Sequence, residues 1–371
     1  MTARTRPSRL PLIVPCPGSL TLEEQVPPCP ETEEQAEGSV AHVVAMKHAQ
    51  GFGAEWGVGR TFEYNGTEWT VDDDMVDGAL MYKEEAQTGG RFEEAVSIPD
   101  IPECGGTPDY WRYIVETYLT LLKVIDYKYG HRFVEVWEHW QLVAYASGVA
   151  RFLNLPLDFK VTLVIVQPRC YAAAPIREWK TTVGEIYALV AERIAPRVAL
   201  ALGPNPPTFA GKHCLDCRAR HACKTLREST ANIVDFAGTA EAAVMPNEAV
   251  GQELRILKQA IKHLEARYTG LYEQANNLAR SGVRIPFWTV KPTRGKYDWL
   301  PETPHAEIAS AADLFGINVR KPLKLLTPKQ AIAEGIDASI IGLYAKQYPG
   351  AARLVEDDEN ALRKIFGANK T

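Results

Sequence analysis

An acid and a base lie two residues apart at the end of an apolar run in this sequence. Residues 121–125 read as a buried β-strand, and Asp126 and Lys128 follow in the segment KVIDYKYG. Residues i and i+2 of a strand project from the same face of a sheet, so the carboxylate and the ammonium group should lie side by side. Such a pair can bind a cation and orient a water molecule, and the same spacing also suits a plain surface ion pair.

The preceding run supplies a second carboxylate. Residues 109–115 and 119–128 are rich in β-forming residues and predict a hairpin, in which a symmetric turn places Asp109 opposite Asp126. Two carboxylates that close repel each other, so a divalent cation is their natural partner. Bound Mg²⁺ or Mn²⁺ would polarise a phosphoryl oxygen and acidify a water molecule, while Lys128 orients that water or stabilises developing charge. These residues therefore predict phosphodiester hydrolysis.

Two polar residues follow on a predicted helix. Gln141 and Tyr145 in WQLVAYASG are spaced i, i+4 and share one helix face, from which both can bond phosphate or base edges. With them, the motifs form an ordered series along the chain: GSVAH (His42), GTPD (Asp109), IDYK (Asp126 and Lys128) and Q-x-x-x-Y (Gln141 and Tyr145). The series resembles that of PD-(D/E)XK nucleases of the RecB-like branch.

The resemblance implies an α/β fold of the restriction-endonuclease type, with a mixed sheet flanked by helices. It implies that His42, Asp109 and Asp126 bind the metal ion, and that Lys128 serves the attacking water. Gln141 and Tyr145 would contact DNA near the scissile phosphate. Asp126 stands where the family often has Glu, and Asp ligates a metal equally well.

A cysteine cluster lies further along the chain. Cys214, Cys217 and Cys223 form a C-x2-C-x5-C set, which lacks a fourth ligand. His221 could complete a local zinc site, or a distant cysteine could complete a four-cysteine iron–sulfur site, for which Cys16 in VPCPGS is the best candidate.

RecB-like nucleases with an iron–sulfur cluster, including those of CRISPR adaptation and of helicase–nuclease complexes, combine one upstream cysteine with three downstream ones. The resemblance therefore favours a [4Fe-4S] cluster on Cys16 and the triplet over zinc. Such a cluster would close a loop of about two hundred residues and clamp the N-terminal arm over the nuclease core. Cys29, Cys104 and Cys170 have no such pattern and are interpreted as ordinary thiols.

Basic residues surround the triplet in an otherwise acidic chain. They could track a DNA backbone, or they could be solvated charges on a loop. The set comprises Lys212, Arg218, Arg220, Lys224 and Arg227.

Composition limits the classes of protein that the chain can represent. Hydrophobic residues make up 46% and charged residues 23%, which is typical of soluble globular protein. The net charge of −5 gives no global attraction to nucleic acid. No apolar run approaches the length of a membrane span, and the first residues lack the hydrophobic region of a signal peptide, so we expect a cytoplasmic protein.

Three regions are predicted from the pattern of elements: an extended N-terminal arm (1–37), a RecB-like nuclease core that ends with the cysteine triplet (38–236), and a helical and α+β C-terminal region (237–371). Helices are predicted at residues 38–50, 72–87, 138–153, 182–201 and 247–280, and a central strand at 158–169.

The later segments resemble those of an uncharacterised phage and prophage family that carries the RecB-like domain. The resulting hypothesis is a metal-dependent DNA exonuclease that acts on single-stranded ends in phage replication or recombination. One alternative is a DNA-binding recombination partner that cleaves poorly and recruits another protein through Trp288, Tyr297 and Trp299. The other is a zinc-stabilised scaffold that uses His221.

Overall fold

The computed structural model describes residues 4–27, 31–116, 119–237 and 246–288. In these residues the strands are β1 (Thr61–Tyr64), β2 (Thr67–Thr70), β3 (Arg91–Phe92), β4 (Val96–Ser97), β5 (Gly105–Gly106), β6 (Tyr110–Glu116), β7 (Leu119–Tyr127), β8 (Lys160–Val166) and β9 (Ile176–Thr182). The helices are α1 (Leu10–Ile13), α2 (Ser19–Glu24), α3 (Glu33–Ala49), α4 (Asp73–Ala86), α5 (Trp140–Phe152), α6 (Val183–Leu189), α7 (Ala195–Leu202), α8 (Lys224–Ala237) and α9 (Asn247–Arg280). A π-helical turn at Val190–Ile194 joins α6 to α7.

A mixed five-stranded sheet, ordered β3-β6-β7-β8-β9, organises the fold. Strands β7 and β8 are parallel and the other neighbours are antiparallel. Helices α3 and α4 cover one face, where Ile125 and Tyr127 of β7 are buried. Helices α5 and α6 cover the other face, where Leu122 and Val124 are buried. The predicted α/β class with a mixed sheet is confirmed.

The two-residue alternation of β7 places the acid and the base on the α5 face. Tyr110 of β6 pairs with Ile125 of β7, so the register sets Asp109, just before β6, opposite Asp126 as predicted. The connection itself, residues 117–118, lies outside the described residues. The two carboxylates therefore meet where β7 ends.

The N-terminal segment is helical, which corrects the prediction of an extended arm. Leu10, Ile13 and Leu20 are at most 1% exposed and belong to the core on the α5 side of the sheet. The Arg197 guanidinium donates hydrogen bonds to the backbone oxygen of Val14 at 2.6 Å and of Pro15 at 3.0 Å. Apolar residues at helical spacing outweigh the prolines here, since a proline is tolerated in the first turn of a helix.

Local sequence signals fix the starts of the helices that flank the sheet. Thr32 and Gln35 form a capping box, so α3 begins at Glu33 and the predicted boundary at residue 37 lies inside it. The Asp72 carboxylate accepts a hydrogen bond from the backbone N–H of Met75 at 2.8 Å and caps α4, which agrees with its predicted range.

Helix α5 lies very close to the segment that carries β4, because position 148 is glycine. A Cβ at Gly148 would come within 2.7 Å of the Ser97 carbonyl oxygen. We expect Gly148→Ala to lower the free energy of unfolding by about 1–3 kcal/mol, since backbone would have to move. Urea unfolding measures this. Gly38→Ala in α3 is the matched control: no atom lies within 4 Å of its added Cβ, so stability should rise by about 0.5–1 kcal/mol. Equal effects of the two substitutions would contradict the close approach.

Helix α9 has the predicted bounds, and its contacts and its apolar stripe lie on different residues. It packs through Ala260, His263, Ala266 and Gly270, whereas its apolar stripe is exposed, with Ile261 at 62%. Gly270 allows the close contact, because a Cβ there would lie 2.5 Å from Cγ of Arg220.

The predicted boundary at residue 237 coincides with the last residue of α8, and residues 238–245 lie outside the described ranges. The predictions for residues 289–371, including Tyr297 and Trp299, also fall outside them. No helix in the described part of the chain is long and apolar enough to cross a membrane.

Candidate active site

Asp109 is held at the start of β6 by two partners. Its Oδ2 accepts a hydrogen bond from the backbone N–H of Tyr127 at 2.7 Å. The same oxygen lies 3.1 Å from Nε2 of His42, which α3 presents from the opposite face of the sheet. The structure thus brings together three of the predicted site elements: α3, the start of β6 and the end of β7.

Asp126 and Lys128 form a linked pair with Gln141 of α5. The Lys128 Nζ donates to Asp126 Oδ1 at 3.1 Å and lies 2.9 Å from its Oδ2. The Gln141 amide donates to the same Oδ1 at 2.8 Å and accepts from Lys128 Nζ at 3.3 Å. Since Asp126 is only 2% exposed, a plain surface ion pair is excluded at this position.

Gln141 and Tyr145 share the α5 face as predicted, but they point inward. Gln141 is 8% exposed and Tyr145 is 6% exposed. A hydrogen bond joins their side chains, while burial and then the charges of Asp109 and Asp126 raise the pKa of Tyr145. Tyr145 therefore stays neutral and faces the carboxylates.

The two carboxyl groups have pKa values that move in opposite directions. Burial raises the pKa of Asp126 to about 6, and the Asp109 charge adds to this while Lys128 opposes it. Burial also acts on Asp109, but His42, Lys128 and the Tyr127 N–H outweigh it and hold its pKa below the usual value. Such a split is typical of carboxylates that share one site.

The two cationic groups are stabilised in their charged forms. Burial lowers the pKa of His42, but the Asp109 carboxylate, then Glu93 and Asp126, raise it above its ordinary value. Burial likewise opposes the charge of Lys128, and Asp126 and Asp109 overcome it, so its pKa is also raised. The described site thus combines the carboxylates of Asp109, Asp126 and Glu93 with the basic groups of His42 and Lys128.

The raised pKa of Asp126 predicts how stability depends on pH without metal. The folded state binds this proton more tightly than the unfolded state, so the associated stability is present below about pH 4 and lost as pH rises through about 6. In EDTA, the free energy of unfolding of the parent should be lower above about pH 6 than below about pH 4. We expect this decrease to be about 3 kcal/mol larger in the parent than in Asp126→Asn. Urea titrations at several pH values measure this, and parallel curves would contradict it.

The sequence predictions missed two residues of the site. Glu93 Oε1 lies 3.8 Å from Nδ1 of His42, and the Glu93 backbone N–H donates to the Asp109 carbonyl at 3.3 Å. His139 sits at the N-cap of α5, and burial followed by the Lys128 charge lowers its pKa to about 3. No spacing pattern marks Glu93, and the helix predicted at 138–153 included His139, whereas α5 begins one residue after it.

The donor chemistry of the site suits a hard divalent cation. Asp126 Oδ2 is buried and has no hydrogen bond of acceptable geometry within the described residues, although Lys128 Nζ is near. Carboxylate oxygens and a neutral imidazole are common ligands of Mg²⁺ and Mn²⁺. No three His, Cys, Asp or Glu side chains of the described residues form a ready-made metal group. Because Lys128 and His42 contact the carboxylates, both must shift before an ion binds.

The four predicted cluster cysteines lie in one neighbourhood. Cys16, Cys214 and Cys217 are at most 7% exposed and Cys223 is partly buried. Burial raises the pKa of Cys217 to about 12, with further contributions from Glu23, Cys16 and Cys214. Burial also raises the pKa of Cys16 and of Cys214, and the charge of Cys223 adds to both.

Backbone donors already point at two of these sulfurs. The Phe209 N–H donates to Cys16 Sγ and the Gly211 N–H to Cys214 Sγ, each at 3.4 Å. Buried thiols that raise one another's pKa would ionise together only with a cation among them. His221 contacts the Arg218 backbone oxygen through Nδ1 at 3.1 Å. The four thiols thus lie near one another and are mostly buried, but within the described residues no three of them form a ready-made metal group.

The other cysteines lie elsewhere. The backbone of Cys104 forms an isolated parallel β-bridge with that of Thr5, and burial raises the pKa of the Cys104 thiol to about 11. Cys170 is buried after β8, and Cys29 is outside the described residues.

The basic residues around the triplet are partly structural. The Arg220 side chain is 12% exposed, donates to the backbone oxygens of Leu215 and Cys217, and pairs with Glu273 of α9. The Arg218 backbone N–H donates to Glu23 at 2.7 Å. Lys224 pairs with Glu228 at 3.6 Å and is 86% exposed. Arg220 thus braces the cysteine segment and belongs to neither a DNA track nor a solvated surface.

Comparison with known proteins gives a family and no activity. A family model described as "Protein of unknown function (DUF2800)" matches residues 13–360. None of the curated proteins matches the chain. Because the match covers nearly the whole sequence, the chain belongs to the DUF2800 family.

Proposed function

We propose that the protein is a metal-dependent deoxyribonuclease of the PD-(D/E)XK type, in the RecB-like branch. It acts as an exonuclease on single-stranded DNA ends in phage replication or recombination. The observation that carries the proposal is the linkage of Asp109, Asp126, Lys128 and Gln141 at one end of β7. A restriction-endonuclease-like fold is part of the proposal.

His42, Asp109 and Asp126 would hold Mg²⁺ or Mn²⁺. The bound ion supplies Lewis-acid polarisation of a phosphoryl oxygen and a water of lowered pKa. Without metal, the charged His42 lowers the pKa of Asp109 most, and Lys128 and the Tyr127 N–H add to this. As a ligand His42 would be the neutral imidazole, so ion binding would release its proton, and Lys128 and the Tyr127 N–H would then keep Asp109 ionised. Asp126, with a pKa near 6, is mostly ionised at neutral pH.

Lys128 then acts on the attacking water and on the developing charge. Its ammonium is stabilised by both carboxylates, so it is a cation throughout and serves by orientation and charge rather than as a base. Gln141 positions both partners, because its amide nitrogen contacts Asp126 and its oxygen contacts Lys128. In this proposal Gln141 and Tyr145, which face the carboxylates, also contact the DNA near the scissile phosphate.

The cysteine quartet is proposed to bind a [4Fe-4S] cluster with a structural role. It would tie Cys16, between α1 and α2, to the segment before α8. Buried thiols and backbone N–H donors to sulfur support this assignment, since both features are typical of such sites.

The test is digestion of end-labelled single- and double-stranded DNA by anaerobically purified protein with Mg²⁺, with Mn²⁺ and with EDTA. We expect shortening of single strands from an end, with either metal and not with EDTA. Internal cleavage products would show that the enzyme is an endonuclease and not an exonuclease. Binding of DNA without cleavage in either metal would replace the enzyme by the DNA-binding recombination partner with the same fold.

A further inference from the structure

Two loops meet at the end of the sheet where β7 and β8 finish. One follows β7 and contains residues 128–139, and the other joins β8 to β9. In open α/β sheets, ligands bind outside the carboxyl ends of parallel strands. These loops therefore lie where a substrate of the proposed site would approach.

A buried amide fixes the two loops to each other. Gln167, which is 1% exposed, donates to the backbone oxygens of Gly130 at 2.6 Å and Arg132 at 2.7 Å. Its side-chain oxygen accepts from the Val134 N–H at 3.3 Å and from the Arg177 guanidinium at 2.6 Å. Every polar atom of Gln167's amide is thus used to hold backbone in place, which pre-organises the loop tips.

The tips present an aromatic pair to solvent. His131 stacks on Tyr171, with ring centroids 5.4 Å apart and planes at 22°. The Tyr171 side chain is 81% exposed. His131 is held from behind, because Nδ1 contacts the Arg169 backbone oxygen at 3.1 Å and Nε2 lies 2.7 Å from the Arg169 guanidinium.

Cationic groups flank this pair. The Arg132 side chain is 69% exposed and lies 2.8 Å from Asp216. An ion pair that exposed is weak, so a phosphate could take the place of Asp216. Arg169 pairs with Glu37 at 2.8 Å, so its charge is largely compensated.

We propose that His131 and Tyr171 form a stacking platform for one base of a single DNA strand, with Arg132 on the adjoining phosphate. The proposal rests on the proposed nuclease function and specifies how its substrate is held. His131 follows Lys128 by three residues, a span of at most about 10 Å. The stacked base therefore belongs to a nucleotide within a few positions of the scissile phosphate.

The chemistry of the platform selects single strands without selecting sequence. A base inside a duplex has both faces covered by its neighbours, whereas an unpaired base can place its face on the exposed Tyr171 ring. Every base has such a face, so stacking tolerates any sequence. A preference for single-stranded ends would then arise at this surface, outside the metal site.

Binding in the absence of cleavage tests the platform. Full-length Lys128→Ala protein in EDTA is titrated into a fluorescently labelled single-stranded oligonucleotide, and anisotropy gives Kd. We expect Tyr171→Ala in this background to raise Kd about 5- to 140-fold, the range for loss of one base–aromatic stack. Tyr171→Phe keeps the ring and should restore most of the affinity. The matched control is Tyr268→Ala, which removes an exposed tyrosine that stacks on Tyr272 in α9.

An oligonucleotide series with one abasic position separates stacking from a general loss of affinity. In the Lys128→Ala protein, which retains Tyr171, binding should weaken when the abasic position is the one whose base stacks on the platform. Adding Tyr171→Ala should abolish this dependence on the abasic position. Unchanged Kd in Tyr171→Ala would overturn the platform while leaving the nuclease proposal intact. Absence of any DNA binding by the Lys128→Ala protein, with its fold verified by circular dichroism, would overturn both.

Discussion

Lys128→Gln is expected to lower metal-dependent DNA cleavage by about 10²- to 10⁴-fold, the range for loss of one positioned catalytic group. The substitution keeps most of the side-chain length but removes the charge that lies 2.9 Å from Asp126. Initial rates on an end-labelled single strand measure the loss. DNA binding should fall much less than cleavage, because Lys128 is needed mainly for the reaction.

Lys123→Gln provides the matched control on the same strand. Lys123 lies in β7, the strand that Lys128 directly follows, and also forms an ion pair, but its partner is Glu85 of α4 on the opposite face of the sheet. We expect this variant to cleave at close to the parent rate, with thermal unfolding used to check both proteins. If Lys128→Gln cleaved as fast as Lys123→Gln, Lys128 would have no part in the reaction.

Cys16→Ala should have the largest effect on stability. A cluster that joins Cys16 to Cys214 closes a loop of about two hundred residues, and in the chain-entropy model such a link is worth about 5 kcal/mol. We expect this variant to lose iron and acid-labile sulfide and to unfold at lower urea concentration than the parent. All samples are purified anaerobically and compared at equal protein concentration.

Two further variants separate the kinds of metal site. Cys170→Ala removes another buried thiol, 5% exposed, outside the quartet and should retain the iron. His221→Ala should also retain it, because His221 is not a ligand of the proposed four-cysteine cluster. Zinc instead of iron in the parent, retained by Cys16→Ala and lost by His221→Ala, would establish the local zinc site and the scaffold reading.

The register of β6 and β7 was predictable because alternation constrains it. A one-residue slip would move Ile125 and Tyr127 away from the face toward α3 and α4 and the acidic residues away from the other face. That constraint is strong wherever both faces of a strand are covered. Alternation leaves two-residue slips open, and the assumption of a symmetric turn selected the register that sets Asp109 opposite Asp126.

Other elements carried signals that were not used. Asn65 and Gly66 have φ values of 50° and 76° and join β1 to β2 through a two-residue loop, for which Asn-Gly is the strongest sequence signal. The capping box of Thr32 and Gln35 likewise marks the start of α3. Strand β9, in contrast, has a half-exposed and strongly charged sequence that gives little pattern to recognise.

Some features of the site could not be read from the sequence at all. Glu93 reaches His42 because a short strand, β3, pairs with the start of β6. The inward direction of Gln141 and Tyr145 depends on how α5 packs on the sheet. The link of Gln167 to the loop after β7 joins residues 35 to 37 positions apart. Each of these features depends on tertiary contacts, which a local sequence pattern does not reveal.

The packing of the N-terminal helices has a consequence during synthesis on the ribosome. Cys16 and its donor Phe209 are 193 positions apart, and Val14 and Arg197 are 183 apart. At ordinary elongation rates, about 10–40 s pass between emergence of the first partner and the second. Through that interval α1 and α2 can pack on α5, which is made earlier, but they lack their partners at Arg197 and Phe209. The N-terminal helices therefore complete their packing only after translation has passed residue 209.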